Sequence, residues 1–142
     1  MSELRWNGAD VKLKAKKLMT DSIYKLALYV ESGAKHRCPI DYGYLAASIN
    51  TQMRGKGTEL GAPVKAGKGA PDGFKKIQAP ASDMQAHVGS AVLYAPYIEF
   101  GTVRSNAQPF LRPALDAARG KTISIVQDSA KYEFADYLRR PE

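Results

Sequence analysis

The sequence has few of the residues on which catalytic and metal sites are built. Its 142 residues include one cysteine, Cys38, and two histidines, His36 and His87. A single cysteine excludes a disulfide within the chain and a metal site made of cysteines alone. We therefore expect a protein of a reducing compartment that is stabilised by packing, with no metal and no cofactor.

Long apolar runs and acidic residues are also scarce. No stretch approaches the roughly 20 apolar residues that a membrane-spanning helix needs, so we expect no membrane contact. Residues 1–8 lack the apolar centre of a secretory signal. Lys and Arg number 21 against 14 Asp and Glu, a net charge of +7. This excess is typical of nucleic-acid binding, of an acidic protein partner or simply of a soluble surface.

The residue types that perform catalysis are not arranged as a catalytic site. His36 and Cys38 lie two positions apart and His87 lies far downstream, without the local signature of a Cys–His nucleophilic pair. The glycine-rich stretch does not match a phosphate-binding loop, because Gly69 follows Lys68 where the magnesium-binding Ser or Thr would stand. We predict no catalytic residue and no enzyme; an enzyme built on the two histidines and the cysteine is the least favoured hypothesis.

Apolar periodicity predicts two long helices. From about Ala9 to Ala34, apolar residues recur every three or four positions. A second long helix opens at Pro109–Pro113, with proline tolerated in its first turn. Its predicted buried face comprises Leu115, Ala118, Ile123, Val126, Ala130, Phe134 and Leu138.

Alternating side chains predict two strands, within 48–54 and 83–94, which pair across the segment between them. Pro39 ends the first helix, and a short helical turn carrying Leu45 precedes the first strand. The predicted fold class is therefore α+β, with two long helices packed on a small antiparallel sheet. One domain is expected to span residues 1–142.

The segment between the strands, residues 55–80, is rich in glycine and lysine and is called the arm below. It contains six glycines and three prolines. The basic residues at its start and within it are Arg54, Lys56, Lys65, Lys68, Lys75 and Lys76, against only Glu59 and Asp72. Structureless loops of this length are uncommon in compact domains. We interpret it as an extended, flexible hairpin whose charge meets DNA phosphates or, the favoured alternative, an acidic protein surface.

The most specific part of the sequence lies between residues 94 and 114. It reads Tyr94-Ala95-Pro96-Tyr97-Ile98-Glu99-Phe100-Gly101-Thr102, then a polar loop, then Gln108-Pro109-Phe110-Leu111-Arg112-Pro113-Ala114. The aromatic side chains, with Ile98, are expected to clamp a tight turn against the sheet. Gly101 permits a backbone conformation closed to other residues. Glu99 is expected to pair with a basic group or to cap backbone amides, an exposed carboxylate being the remaining alternative.

This segment resembles the pattern of the tail-completion, or neck, family of long-tailed double-stranded DNA phages. The family pattern reads Tyr-Ala-x-Tyr-aliphatic-Glu-aromatic-Gly-Thr, a variable loop, then Gln-Pro-Phe-Leu-Arg-Pro-Ala. Upstream, the family tends to carry Pro and then Gly-x-Leu-Arg-x-Ser-Ile. The matching residues here are Pro39, Gly43, Leu45, Ser48 and Ile49, with Ala46 where arginine is usual. The resemblance covers roughly residues 10–138, and the arm looks like a variable insertion.

The resemblance implies a structural virion protein without enzymatic activity. It implies a homo-oligomeric ring, expected to be a hexamer, where the tail tube meets the head connector. The expected partners are head-closure or connector proteins and tail-terminator or tail-tube proteins, first in the host cytoplasm and then in the virion. The residues expected to form the fold corner and present an interface are Tyr94, Tyr97, Glu99, Phe100, Gly101, Thr102, Pro109, Phe110, Leu111 and Pro113.

DNA enters this interpretation in two ways. In the ring, contact with DNA passing through the channel would be transient and unspecific. The alternative function is a small basic DNA-binding module that uses residues 54–76. The sequence does not decide between transient DNA contact in a ring and a dedicated DNA-binding module.

Overall fold

Two long helices and a three-stranded antiparallel sheet make up the fold, which confirms the predicted α+β class. The computed structural model describes residues 8–40, 43–60 and 76–135. In chain order the elements are α1 (Gly8–Arg37), α2 (Tyr44–Ser48), β1 (Ile49–Met53), β2 (Lys56–Gly57), β3 (Ala86–Ser90), α3 (Ala95–Phe100) and α4 (Leu111–Glu133).

Small residues form the seam along which α1 and α4 pack. Ala34, Ala114 and Ala118 are buried there. A Cβ added to Gly33 would lie 3.3 Å from the Cβ of Ala114, so the two helix backbones approach closely. Two polar contacts extend the seam: Lys17 pairs with Glu133 at 2.9 Å, and Lys25 Nζ donates to Ser129 Oγ at 3.0 Å.

The predicted buried face of α4 is wrong at three of its large residues. Ala118 is buried as predicted, but Leu115, Ile123 and Val126 are 47%, 72% and 38% exposed. The reason is the close seam, because α4 turns its alanines toward α1 and keeps these larger side chains out of the seam. Leu138 lies outside the described residues, and the helix runs unbroken through Gly120.

The sheet has the order β2-β1-β3, with both pairs antiparallel. The predicted pairing of the two strands on either side of the arm is confirmed, with Ile49 opposite Ser90 and Met53 opposite Ala86. Sequence reasoning missed β2, which forms a tight hairpin with β1. Gly55 stands in its turn with φ of +76°, a value that favours glycine.

The two faces of β1 are covered by different parts of the chain. Ile49, Thr51 and Met53 are buried, and Thr51 Oγ1 lies 3.5 Å from the carbonyl oxygen of Ala27 on α1. On the opposite face, the buried Asn50 side chain donates to the Ser48 carbonyl and accepts from the Ile77 N–H at 3.2 Å. Because successive side chains of a strand point to opposite faces, α1 covers one face and residues 76–80 cover the other.

A buried carboxylate joins α1 to the β1–β2 hairpin. Glu31 Oε2 accepts a hydrogen bond from Thr58 Oγ1 at 2.8 Å, and Lys35 pairs with the same carboxylate from one turn further along α1. Thr58 Oγ1 in turn accepts the N–H of Thr51 at 2.8 Å. The acid is therefore both paired and hydrogen-bonded, as burial of a charge requires.

Both ends of the arm are attached to the sheet rather than extended away from it. At its start, Thr58 N–H donates to the Thr51 carbonyl at 2.9 Å. At its end, Ile77 is held by Asn50 and Pro80 is buried. Residues 55–60 and 76–80 are thus held at the sheet, and the extended, flexible hairpin expected for the arm as a whole stays a prediction. Residues 61–75, including Lys65, Lys68 and Lys75, lie outside the described residues.

Candidate functional site

The motif residues 94–114 form one corner of the molecule, here called the α3–α4 corner. It consists of Tyr94, the short helix α3, the loop 101–110 and the first turn of α4. Tyr94 and Ile98 pack against the hydrophobic core, and Ala95 belongs to it. Burial raises the pKa of the Tyr94 phenol. The corner thus has an inner side that is part of the core.

Glu99 caps the N-terminus of α4. Its buried carboxylate accepts the N–H groups of Phe110 at 2.8 Å, Leu111 at 3.0 Å and Arg112 at 3.0 Å. A helix start leaves several N–H groups without partners inside the helix, and Pro113 has no N–H to satisfy. The second sequence hypothesis for Glu99, that it caps backbone amides, is therefore confirmed, and the exposed carboxylate is wrong.

The environment of Glu99 favours its charged form. Burial would raise the pKa of the carboxyl group. The three backbone N–H donors of residues 110–112, assisted by the Arg112 charge, outweigh that cost, so the pKa lies below the usual glutamate value. An ionised, fully used carboxylate with a lowered pKa is a structural anchor and a poor general acid or base at neutral pH.

The loop after α3 is closed by backbone hydrogen bonds. Thr102 and Ser105 bond to each other through both backbone groups, with Thr102 N–H donating at 2.8 Å. Gln108 N–H donates to the Ile98 carbonyl at 2.8 Å, which returns the chain to α3. Gly101, with φ of +77°, makes the tight exit from α3 possible.

Gly101→Ala is expected to lower the free energy of unfolding by about 1–3 kcal/mol, the usual cost of such a strained conformation. A Cβ at this position would lie 2.7 Å from Ala107 N and 2.9 Å from Ser105 O, and both are backbone atoms that cannot rotate away. Gly120→Ala is the matched control: nothing lies within 4 Å of that site, so the added helix propensity should stabilise. Urea unfolding should show that Gly101→Ala lowers the free energy of unfolding and that Gly120→Ala raises it. Equal changes in the two variants would contradict the strained, crowded conformation assigned to Gly101.

The outer side of the corner exposes large apolar side chains. Tyr97, Phe100 and Val103 of the corner, and Leu93 just before it, lie within eleven residues of one another in sequence, and each is more than 60% exposed. The prediction that Tyr97 and Phe100 clamp the turn against the sheet is therefore wrong, because both point outward. They stand three residues apart on α3 and so share a helix face. Arg112 lies over the Phe100 ring at 5.4 Å.

The remaining corner residues divide between core and surface. Phe110 is completely buried at the centre of the core, and Leu111 packs against its edge. Pro113 is half-buried in the first turn of α4, whereas Pro109 and Thr102 are exposed. Helix α4 begins at Leu111, two residues after the predicted start at Pro109.

The basic residues predicted as one functional patch are engaged with the rest of the chain where the structure describes them. Lys56 pairs with Asp21 at 3.0 Å and lies 5.0 Å from the Tyr24 ring. Arg54 pairs with Asp83 at 3.7 Å, and Lys76 pairs with Glu59. These intramolecular pairs reduce the positive charge that Arg54, Lys56 and Lys76 can offer to phosphates.

The histidines and the cysteine are not brought together into a shared contact. Cys38 is buried in the core, where burial raises the pKa of its thiol and so lowers its thiolate fraction. His36 is exposed near the end of α1, and His87 Nδ1 lies 2.8 Å from the Gln78 carbonyl oxygen. Across residues 8–40, 43–60 and 76–135, no group of three or more His, Cys, Asp or Glu side chains could hold a metal ion.

Sequence reasoning missed a groove that α1, β3, α3 and α4 enclose together. It has a volume of about 840 Å³ and is lined mainly by apolar side chains of α1 and α4 and by β3. No local pattern could have indicated it, because its walls come from four separate parts of the chain. Helices in the described part of the chain are not long and apolar enough to cross a bilayer.

Comparison with known proteins adds no relative to this description. No protein-family model matches the chain, and neither a curated protein nor a solved structure matches it.

Proposed function

We propose that this chain is a structural virion protein of a tailed phage, a tail-completion or neck protein that forms a ring at the head–tail junction. In this role it closes the tail and joins it to the head connector, with no chemistry of its own. The ring is expected to contain six subunits, matching the sixfold symmetry of the tail tube. Neighbouring subunits would meet through different faces, as in any closed ring.

The α3–α4 corner is the observation that carries the proposal. Its residues carry the resemblance to the neck family, and Tyr97, Phe100 and Val103, with Leu93 just before the corner, are exposed beside a backbone that Glu99 anchors. Clustered exposed apolar residues are typical of protein–protein interaction sites. A surface of this kind on a backbone with little freedom to move loses little entropy when it binds.

The partners and location follow as parts of the same proposal. The corner would contact the neighbouring subunit, a connector or head-closure protein, or the tail-terminator or tail-tube protein. The exposed basic residues would guide assembly against acidic protein surfaces. The protein would be found in the host cytoplasm during assembly and in the virion afterwards.

Stoichiometry tests the ring directly. Native mass spectrometry of the chain assembled on isolated tail tubes should give six copies, or twelve, per tail end. Tyr97→Glu should fold normally, because the side chain is exposed, and should abolish incorporation into the tail. Leu13→Glu, which places the same charge at an exposed apolar position on α1, is the matched control and should assemble.

Two results would reject the proposal. One is a copy number that fits neither six nor twelve subunits. The other is normal incorporation of the Tyr97→Glu chain together with normal joining of heads and tails.

A further inference from the structure

The groove lies between β3 and α4, with α1 beside both. Helix α1 packs against β1 and β3, and α4 packs mainly against α1, so that α4 and β3 face each other across a gap. Ile23, Leu26 and Val30 of α1 and Leu115 and Ala118 of α4 line it. Its volume of about 840 Å³ lies in the upper part of the range of about 300–1,000 Å³ typical of binding sites.

One wall of the groove is a sheet edge that is unpaired among the residues the structure describes. Thr51 directs its backbone groups toward Thr58, since the Thr58 N–H donates to the Thr51 carbonyl. Antiparallel strands alternate in the direction of their backbone groups, so Asn50 and Gln52 direct theirs toward β3, opposite Gly89 and His87. The backbone groups of Ala86, Val88 and Ser90 therefore point away from β1. Among the described residues, none pairs with them.

The backbone of β3, and not only its side chains, faces the groove. All residues from 84 to 90 line it, including His87 and Gly89. The side-chain positions of these two lie on the other face of the sheet, because His87 contacts Gln78 and a Cβ on Gly89 would meet Ile77. The groove therefore offers a row of N–H and C=O groups that pair with no described residue, along an apolar channel.

Within β3 itself, the edge carries no lysine, proline or bulge that would protect it. Exposed edges are commonly blocked by lysine, proline or a bulge, which prevent pairing with another strand. The three outward-directed residues here are Ala86, Val88 and Ser90, and β3 pairs with β1 without a bulge. An unprotected edge beside an apolar channel is suited to accept a strand.

The charge of the groove specifies the chemistry of that strand. Arg112 and Arg119 line it from α4. Glu99 also lines it, but its oxygens are occupied by the amides of residues 110–112. Arg119 has an exposed ion pair with Asp116 at 3.2 Å, a contact of the kind that contributes little stability. Arg119 can therefore exchange this weak pair for another carboxylate, and two arginines at an apolar groove favour an apolar partner that carries acidic residues.

We propose that this groove binds an extended, apolar and acidic segment of another protein, which adds to β3 as a fourth strand. Its backbone would pair with Ala86, Val88 and Ser90, and its apolar side chains would lie against the groove-lining residues of α1 and α4. Its carboxylates would meet Arg112 or Arg119. Strand addition of this kind gives affinity through main-chain hydrogen bonds and specificity through alternate side chains. The inference stands independently of the proposed ring.

A designed peptide tests this on the full-length chain. Acetyl-Glu-Thr-Val-Thr-Val-Thr-Glu-amide places two valines and two glutamates on one face of a strand and reads the same in either direction. Amide hydrogen exchange measured by NMR should slow at Ala86, Val88 and Ser90 on binding. The amides of His87 and Gly89, which already pair with β1, should not change. This alternation distinguishes strand addition from binding to side chains alone.

Variants separate the backbone and charge contributions. Ala86→Pro removes an outward N–H without breaking the pairing with β1, and it should weaken binding about tenfold or more. Arg119→Glu should weaken binding of the glutamate peptide by a similar factor. It should strengthen binding of the analogue that has lysine in place of both glutamates. If the proline variant does not fold, the Arg119→Glu variant alone tests the proposal.

Three outcomes would overturn the inference. The first is no change at the three outward amides with about 1 mM peptide, a concentration that detects even weak binding. The second is equal binding of the glutamate and lysine peptides. The third is protection of these amides that grows with protein concentration in the absence of peptide, which would identify a second copy of this chain as the occupant.

Discussion

Glu99→Ala is expected to lower the free energy of unfolding by about 3 kcal/mol. The carboxylate accepts three backbone N–H groups at 2.8–3.0 Å, and its removal leaves buried donors at the start of α4 without partners. Hydrogen bonds to charged groups contribute about 1.5–3 kcal/mol each, but three that share one acceptor are not additive. Glu99→Gln keeps one acceptor oxygen and should cost about 1–2 kcal/mol. Urea unfolding monitored by circular dichroism measures both.

The stabilisation that the Glu99 carboxylate gives to the folded chain should decrease in acid. The pKa of Glu99 is lowered in the folded chain, so its stabilisation is fully present above the unfolded-state pKa of about 4.3. It is lost as pH falls through the lower folded pKa. The difference in stability between the wild-type chain and Glu99→Gln should therefore be constant near neutral pH and shrink in acid.

Glu59→Ala is the control for the Glu99 variants. Glu59 is a well-exposed carboxylate that pairs with Lys76, and exposed ion pairs contribute about 0–1 kcal/mol. If Glu59→Ala destabilises as much as Glu99→Ala, or if the Glu99 effect persists unchanged at low pH, then capping of α4 does not account for the role of this residue.

Among substitutions at the described residues, Phe110→Ala is expected to have the largest effect, a loss of about 3–5 kcal/mol in the free energy of unfolding. Its ring is completely buried and is the largest of the fully buried side chains among the described residues. It packs in one cluster with residues of α1, β1 and α4, so truncation leaves a cavity in the middle of the core. Thermal and urea unfolding of purified chain both measure the loss.

The same motif supplies the matched control. Phe100 is also a phenylalanine, ten residues earlier, but 65% of it is exposed. Phe100→Ala should change the free energy of unfolding by less than about 0.5 kcal/mol, as surface substitutions usually do. Equal losses at the two positions would mean that the assignment of inner and outer sides of the corner is wrong.

Periodicity in the sequence was sufficient to predict the two long helices and the central strand pair. The pattern around Leu115, Ile123 and Val126 predicted that α4 exists but not which of its faces is buried. That choice depends on Gly33 and Ala34 of α1, more than 70 residues away, which allow only small side chains such as Ala114 to approach. A rule that places the largest apolar residues inside cannot anticipate such a seam.

At the corner, sequence reasoning reached the correct residues but not their separate roles. The sequence left two partners open for Glu99, a basic group or backbone amides. The amides are its partners because the fold brings the N–H groups of residues 110–112 to its carboxylate. Tyr94 and Tyr97 look equivalent in the motif, yet Tyr94, which directly precedes α3, packs against the core, and Tyr97, within α3, is exposed. The groove beside β3 was unpredictable, since it exists only where four elements meet.

The Glu99 contact also bears on the order in which the chain folds. It joins residues 11 to 13 positions apart, whereas the seam contact between Lys25 and Ser129 spans 104 positions. Loop-closure entropy rises with the logarithm of length, so the corner forms at a cost about 2 kcal/mol lower than the seam. The motif can thus close before α4 reaches α1. The 94–114 segment, which carries the motif of the neck family, can then take its shape without help from the distant part of α1.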